Sequence, residues 1–325
     1  MDKLGRIRQP VETELHEYVR LFDEALRHED DLLGRALKYV GARKGKMMRP
    51  ILVLLVAKEL GPVVGEASLR SAVTLELLHT ASLVHDDVVD ESDERRGQAS
   101  VNAVFGNKVA VLVGDYLLSE ALDQAARTGD LAIVRTIARL GATLSEGEVF
   151  QLSNIREQQA TEEAYFRIIR SKTAALFASC TRIAAISAGG SDDFTRVATR
   201  FGEIVGECFQ IRDDIFDYFD DDAIGKPTGN DLREGKLTLP LLYALGQEGG
   251  EVMDGEVRRV KDGTASDDDI ARLIDFAKRR GGIAYAESVM MRLREEATAL
   301  LGNFKNDEVR ATLAAYLDFV IERNI

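Results

Sequence analysis

Tryptophan is absent from this 325-residue chain, and only five prolines are present. None of these prolines lies between Pro62 and Pro227. β-Rich folds need frequent turns, whereas long helices exclude proline from their interiors. Aromatic residues make up only 6% of the chain, so we expect a core of Leu, Ile, Val and Ala. These scarcities together predict a helical protein.

The chain is also poor in cysteine and in long apolar runs. Its two cysteines, Cys180 and Cys208, are too few for a disulfide framework. No apolar run reaches transmembrane length and no signal-peptide pattern is present, so we expect a cytoplasmic location. The net charge of −13 argues against a nucleic-acid partner. An anionic substrate would therefore depend on local clusters of Lys and Arg.

Apolar residues recur at helical spacing along nearly the whole sequence, which predicts an all-α fold. No internal repeat or linker composition divides the chain, so we expect one domain over residues 1–325. The segments 66–91 and 194–220 are apolar on most faces and are predicted to be central helices. The predicted helices cover residues 11–28, 31–41, 48–60, 66–91, 107–127, 130–154, 161–188, 194–220, 236–247, 252–261, 267–280, 283–303 and 306–322.

Two aspartate motifs of the form DDxxD stand near the C-terminal ends of these two central helices. Residues four apart share a helix face, so Asp86 lies above Asp90, and Asp213 above Asp217. Like charges repel at this spacing, and the negative end of the helix dipole adds to the cost. Carboxylate oxygens that share a cation with water and phosphate are typical of Mg²⁺ sites. The candidate metal ligands are Asp86, Asp87, Asp90, Asp213, Asp214 and Asp217.

Basic residues accompany both motifs. Taken singly, a DDxxD can be a solvated helix end, and Lys172 in its apolar helix can simply extend its ammonium group to solvent. An Arg pair just beyond a metal-binding carboxylate face, however, suits a diphosphate held by metal on one side and guanidinium on the other. The accompanying basic residues are Lys46, Arg49, Arg95, Arg96, Lys172, Lys226 and Lys236.

In the order of these motifs, the chain resembles the trans-isoprenyl diphosphate synthases, or polyprenyl synthetases, and most of all the octaprenyl-type enzymes. One departure is Met47, where the family commonly has a basic residue. The motifs are GKMMRP at 45–50, HDDVVDESDERRG at 85–97, Lys172-Thr173, QIRDDIFDY at 210–218 and GKPTGNDLREGKLTLP at 225–240.

The resemblance implies an isoprenoid synthase type I fold, a bundle of roughly ten or more helices around a central cavity. It also implies a Mg²⁺-dependent prenyltransferase. An allylic diphosphate ionises, isopentenyl diphosphate attacks the cation, and the released diphosphate takes the proton. About three Mg²⁺ ions would bridge the allylic diphosphate to Asp86 and Asp90 on one helix and to Asp213 on the facing helix.

The resemblance assigns separate binding residues to the two substrates. The allylic diphosphate would be held by Arg95, Lys172, Lys226 and Lys236. Isopentenyl diphosphate would be held by Lys46, Arg49, His79 and Arg96. Thr173 and Gln210 would present oxygens to the allylic carbocation. The residues assigned to catalysis are therefore Asp86, Asp90, Asp213, Lys172, Thr173 and Gln210.

Product length is predicted from Ala81 and Ser82, five and four residues before Asp86. Short-chain members of the family typically carry bulky aromatic residues there, so small residues predict a tunnel that continues past the geranylgeranyl stage. Ile137 is a candidate for the tunnel floor. We expect a hexaprenyl to nonaprenyl product, best matched by octaprenyl diphosphate for a quinone side chain, from a farnesyl or geranylgeranyl primer. The alternative explanation is that these small residues only allow two helices to pack closely and do not affect product length.

The resemblance also implies a homodimer, for which the apolar helix near 107–127 is a plausible interface. Peripheral membrane contact on product release is a further expectation. A short-chain farnesyl or geranylgeranyl diphosphate synthase is the principal alternative. A class I terpene cyclase typically has a different second metal motif and needs no second diphosphate site. A non-catalytic subunit usually loses one Asp motif, and an inert acidic scaffold leaves the ordered basic residues unexplained.

Overall fold

The computed structural model describes residues 2–42, 45–95, 97–156, 160–219 and 228–323. Apart from one pair of two-residue strands, the regular structure of these residues is helical, which confirms the predicted all-α class. Within these ranges, no helix has both the length and the apolar character needed to cross a membrane.

The chain divides into two compact units. Unit 1 comprises Met1–Gly141, Leu176–Gly202 and Gly302–Ala315, and unit 2 comprises Ala142–Ala175, Glu203–Leu301 and Tyr316–Ile325. The assignment of residues 1–325 to one domain stays a prediction.

Unit 1 contains the first aspartate motif. Its elements are α1 (Lys3–Arg8), a 3₁₀ turn (Gln9–Val11), α2 (Glu12–Ala25), α3 (Asp31–Gly41), α4 (Met48–Glu59), α5 (Glu66–Val89), β1 (Glu94–Arg95), β2 (Gln98–Ala99), α6 (Val101–Phe105) and α7 (Asn107–Arg127).

Unit 2 contains the second aspartate motif. Its elements are α9 (Glu162–Ile169), a π-helical segment (Arg170–Ala174), α12 (Asn230–Arg233), α13 (Leu239–Leu245), a 3₁₀ turn (Gly250–Met253), α14 (Asp254–Lys261), α15 (Asp267–Arg279) and α16 (Gly282–Leu301). Helices with residues in both units are α8 (Leu131–Arg156), α10 (Ala175–Ser187), α11 (Asp192–Phe216) and α17 (Asp307–Glu322).

The long helix α5 is the centre of unit 1, because its apolar residues are buried on nearly every side, including Leu75 and Leu77. It packs against α2, α4 and α7. The contact with α7 is close where the motif begins, since a Cβ atom added at Gly114 would lie 2.2 Å from the Nε2 atom of His85. Any side chain at position 114 would therefore require the His85 ring to move.

In unit 2, the π-helical segment interrupts the single helix that was predicted over 161–188. It packs against α11 at Gly206, where an added Cβ atom would lie 2.5 Å from the Cα atom of Ala174. π-Turns inside α-helices are rare and frequently mark functional sites, because they re-aim the side chains on either side. This turn contains Lys172 and Thr173.

Candidate active site

The middle aspartate of the first motif is turned into the protein. Asp87 is only 2% exposed, and its carboxylate accepts a hydrogen bond from the guanidinium of Arg95 on β1. Asp86 is half-buried and Asp90 is exposed, so the outer two carboxylates are the more accessible ones. The three aspartates therefore differ in role although the motif repeats one residue type.

A β-hairpin brings Arg95 to Asp87. Glu94 pairs with Ala99 and Arg95 with Gln98 in antiparallel register, and the chain reverses at Gly97 with a φ of 73°. The Tyr39 hydroxyl donates to the Ala99 carbonyl at 2.7 Å and holds the second strand against α3. Sequence analysis missed this hairpin, for which Gly97 was the available signal. Arg96, predicted to bind isopentenyl diphosphate, lies outside the described residues.

A cavity of about 80 Å³ opens in unit 1 beside this ion pair. It brings together two residues predicted for different substrates, Arg49 and Arg95, and also contains His79 and Asp87. Lys46 is exposed, and its carbonyl accepts a hydrogen bond of 2.8 Å from Arg8. The cavity thus joins cationic and imidazole groups to the carboxylates of Glu76 and Asp87 and to apolar residues such as Tyr18, Phe22, Val40, Leu83, Val84 and Val101.

Arg49 is oriented by an acid that sequence analysis missed. Its Nε and Nη2 atoms each donate to the Glu76 carboxylate at 2.9 Å, in a pair that is mostly shielded from solvent. Glu76 lies three residues before His79 on α5, which places both on the same face of the helix. An acid on an otherwise apolar helix, one turn before the predicted ligand His79, was the available signal.

The residues predicted to set product length are also in unit 1. Ala81 is 2% exposed, Ile137 is buried, and Ser82 is half-buried with its hydroxyl donating to the His79 carbonyl at 2.9 Å. Ser82 therefore bonds within its own helix. Neither Ala81 nor Ser82 lines the cavity beside Arg95, and their role in product length stays a prediction.

The second motif is in unit 2, and each of its aspartates has a different environment. The Asp213 side chain is 41% exposed and pairs with the guanidinium of Arg323. Asp214 is 3% exposed and accepts hydrogen bonds from the Tyr165 hydroxyl at 2.6 Å and the Gln210 amide at 2.8 Å. The middle aspartate is again the buried one.

Asp217 organises the chain that returns after the second motif. Its two carboxylate oxygens accept backbone N–H bonds from Asn230 at 2.9 Å and Asp231 at 3.0 Å, at the start of α12. Burial raises the pKa of Asp217, and these two hydrogen bonds oppose that shift. Burial also raises the pKa of Asp231 to about 7, with the nearby Asp217 charge adding to the effect. Lys226, predicted in the intervening loop, lies outside the described residues.

A cavity of about 270 Å³ opens in unit 2 and is lined by the predicted residues Lys172, Thr173, Gln210, Asp214 and Lys236. The Thr173 hydroxyl donates to the Gln210 side-chain carbonyl at 2.7 Å. Further lining residues that sequence analysis missed include Gln151, Asn154, Tyr165, Asp231, Thr238 and Lys261.

Two of the three lysines that line this cavity, Lys172 and Lys236, are held by neighbouring acids. Lys172 donates to Gln151 at 3.2 Å and pairs with Glu148 on α8. Lys236 pairs with Glu234, and its backbone N–H donates to the Asp231 carbonyl at 2.8 Å. Burial raises the pKa of Asp214 well above its ordinary value, while hydrogen bonds from Tyr165 and Gln210 lower it. The cavity therefore combines lysine ammonium groups with neutral oxygen atoms.

The carboxylates fit Mg²⁺ only if water and substrate phosphates provide the remaining ligands. Among the described residues, no three Asp, Glu, His or Cys side chains come close enough together to hold a metal ion by themselves. Mg²⁺, however, is commonly held by one or two carboxylates together with water and substrate phosphates. Asp86, Asp90 and Asp213 are more exposed than Asp87 and Asp214 and are the better placed to contribute in this way, although Asp213 also pairs with Arg323.

Comparison with known proteins gives a consistent result. Residues 30–276 match the model of the polyprenyl synthetase family. Octaprenyl diphosphate synthase of Haemophilus influenzae is 39% identical over 273 residues, which are 84% of this chain and 82% of that protein.

Two solved structures extend the similarity over nearly the entire chain. Geranylgeranyl pyrophosphate synthase from Bacteroides thetaiotaomicron is 46% identical with a TM-score of 0.87, covering 99% of this chain and all 100% of that one. A polyprenyl synthase from Caulobacter crescentus, complexed with calcium and isoprenyl diphosphate, is 29% identical with a TM-score of 0.91 and covers 98% of each chain.

Proposed function

The chain belongs to the polyprenyl synthetase family, and from this premise we propose that it makes a long-chain all-trans polyprenyl diphosphate. It is a trans-prenyltransferase that joins an allylic diphosphate to successive isopentenyl diphosphates, head to tail. The observation that carries the proposal is the cavity of unit 2. Residues from three separate motifs, including Lys172, Gln210 and Lys236, line this one cavity.

Octaprenyl diphosphate, for a quinone side chain, is the product we propose, from a farnesyl or geranylgeranyl primer. The Haemophilus influenzae relative and the small side chains of Ala81 and Ser82 support a long product. The geranylgeranyl name of the Bacteroides thetaiotaomicron structure defines the competing short-chain function.

Ionisation of the allylic diphosphate is the difficult step, because a highly charged group must leave. Asp86, Asp90 and Asp213 would hold Mg²⁺, which would supply positive charge to the departing oxygens. The ammonium groups of Lys172 and Lys236 add preorganised charge. Thr173 and Gln210 present oxygen atoms to the electron-poor carbon. These groups lower the barrier because they are already oriented before the bond breaks.

Isopentenyl diphosphate, the second substrate, keeps its diphosphate group during the reaction. Its site therefore needs cations that bind this group without promoting cleavage of the C–O bond. Arg49, oriented by Glu76, offers a guanidinium of fixed direction to a diphosphate in the cavity of unit 1. His79 and Arg95 line the same cavity. We assign Arg49 and His79 to isopentenyl diphosphate, together with Lys46 and Arg96, and Arg95 to the allylic diphosphate.

A homodimer is the proposed assembly. Helix α7 exposes Val111, Leu112, Leu118 and Leu122, whose side chains would be removed from water by a second copy. Val111, Leu118 and Leu122 are seven and four residues apart, which aligns them along one side of the helix. We further propose a cytoplasmic location, with peripheral membrane contact when the apolar product leaves.

The decisive assay is incubation with farnesyl diphosphate, labelled isopentenyl diphosphate and Mg²⁺, followed by product sizing. We expect octaprenyl diphosphate as the main product, and no product when EDTA removes the metal. A farnesyl or geranylgeranyl end product would support the short-chain function instead. A cyclic hydrocarbon formed without isopentenyl diphosphate would overturn the family activity for this chain.

A further inference from the structure

A continuous chain of hydrogen bonds runs from Tyr165 to the wall of the unit 2 cavity. The Tyr165 hydroxyl donates to one oxygen of Asp214 at 2.6 Å, and the Gln210 amide nitrogen donates to the other at 2.8 Å. The Gln210 carbonyl oxygen in turn accepts the Thr173 hydroxyl at 2.7 Å. All four residues line the cavity.

The chemistry of the groups determines the direction of every bond in this chain. The Gln210 amide nitrogen donates to Asp214, so the Gln210 oxygen is directed toward Thr173. The Gln210 oxygen is then available only as an acceptor. Burial keeps the Tyr165 phenol protonated by raising its pKa well above the ordinary value. Asp214 therefore sets the orientation of Gln210, and Gln210 sets that of Thr173.

The orientation of Thr173 has an electrostatic consequence. The hydroxyl proton of Thr173 is directed at Gln210, so the lone pairs of the hydroxyl oxygen are available to a group in the cavity. Hydrogen bonds in a chain polarise one another, and the effect grows where water is excluded. The Asp214–Gln210–Thr173 chain thus orients and polarises the Thr173 oxygen, at the far end of the chain.

We propose that Tyr165 and Asp214 are positioning residues that act through Gln210 to aim the Thr173 oxygen at the developing allylic cation. The inference rests on the proposed prenyl transfer, because only that reaction places a carbocation beside Thr173. It gives Asp214 a role separate from metal binding. Both oxygens of Asp214 accept protein donors and the residue is 3% exposed, in contrast to Asp213 at 41%.

Tyr165→Phe removes one oxygen atom and is the first test. We expect kcat to fall about tenfold, with KM for both substrates changed less than twofold, because only the transition state loses stabilisation. The matched control is Tyr285→Phe. It removes a hydroxyl that donates to a carboxylate in the same unit, that of Glu162 at 2.9 Å, but Tyr285 does not line the cavity. The control should keep its wild-type kcat.

A double-mutant cycle distinguishes orientation of the Thr173 oxygen from a general contribution of Tyr165 to the stability of the fold. In a Thr173→Val background, the oxygen to be aimed is absent. The tenfold effect of Tyr165→Phe should then shrink to less than twofold. An undiminished tenfold effect in that background would overturn the proposal. If Tyr165→Phe proves poorly folded by circular dichroism, Asp214→Asn replaces it in the same cycle with the same expected coupling.

Metal binding provides a readout that does not depend on turnover. Titration with Mn²⁺ in the presence of a non-reactive thiolo analogue of farnesyl diphosphate should give affinities within twofold for wild type and Asp214→Asn. A tenfold weaker affinity in Asp214→Asn would make Asp214 a metal ligand and overturn the proposal. Failure of the proposed function is distinct, since wild-type protein would then form no prenylated product at all.

Discussion

The two aspartate motifs share one sequence pattern, but their middle aspartates have different partners. The middle aspartate is buried in both, with Asp87 2% and Asp214 3% exposed. Asp87 pairs with the guanidinium of Arg95, whereas Asp214 accepts bonds from two neutral donors, Tyr165 and Gln210, and burial raises its pKa well above the ordinary value. The first arrangement fixes the Arg95 guanidinium beside the cavity of unit 1, and the second fixes the Gln210 amide beside the cavity of unit 2.

This difference indicates a division of labour within each motif. Asp86, Asp90 and Asp213 are more exposed than the middle aspartates and are the ones proposed to share a metal ion with a diphosphate, whereas Asp217 accepts two backbone N–H groups. In each motif the middle aspartate contacts a neighbouring group and orients it. In unit 1 the oriented group is Arg95, and in unit 2 it is Gln210. Substitutions at outer, middle and supporting positions should therefore have effects of very different size and kind.

The largest effect is expected for the outer aspartates. Asp86→Ala and Asp213→Ala should each lower kcat by about 10³-fold or more, because the departing diphosphate loses metal-borne charge. Circular dichroism should show an intact fold. Steady-state turnover with farnesyl diphosphate and isopentenyl diphosphate is the measurement, and near-normal turnover in either variant would refute its assignment as a metal ligand.

Loss of the cation that neutralises Asp87 should be the largest effect on stability. Arg95→Ala leaves a buried carboxylate without its charged partner, at a cost of about 2–4 kcal/mol in the free energy of unfolding. The double variant Asp87→Asn/Arg95→Ala should recover at least half of that loss. Urea unfolding measures both, and equal stability of the single and double variants would show that the ion pair does not neutralise Asp87.

Loss of the Glu76 carboxylate that orients Arg49 should have a smaller effect, mainly on substrate binding. Glu76→Gln weakens the bidentate pair that orients this guanidinium, so KM for isopentenyl diphosphate should rise about tenfold while kcat changes less. KM for the allylic substrate should stay within twofold. A rise confined to the allylic substrate would reverse the assignment of Arg49.

The smallest effect on rate, though a clear one on product, is expected at Ser82. Ser82→Phe should shorten the product sharply while the rate of the first condensation stays within a few-fold, because the bulk obstructs only the growing chain. Mass analysis of the products provides the measurement. An unchanged product length would exclude Ser82 from the tunnel wall.

Much of the fold could be predicted from the sequence because helical periodicity is strong throughout. The burial of Asp214 was also predictable, since Ile211, three residues before it, and Tyr218, four residues after it, are buried on the same face. In the first motif, Val84 lies three residues before Asp87 and is likewise buried. Each motif was identified from the repulsion between its first and last aspartates, which are four residues apart. This repulsion gives no information about the middle aspartate, so all six aspartates were predicted to be metal ligands.

The partners of the middle aspartates could not be predicted from local pattern. Tyr165 is 49 residues from Asp214 in sequence, and Arg95 reaches Asp87 only because a two-residue hairpin reverses the chain. The π-helical turn at Arg170–Ala174 lies close against Gly206 and has no signature in hydrophobic periodicity. Contacts between distant segments determine these features.

The most direct test of the division of labour is the Mg²⁺ concentration that gives half-maximal turnover in four matched Asp→Asn variants. We predict that Asp86→Asn and Asp213→Asn raise it at least tenfold, because the ion loses a ligand. Asp87→Asn and Asp214→Asn should leave it within twofold of wild type. An increase at Asp87 or Asp214 as large as that at the outer positions would contradict the account.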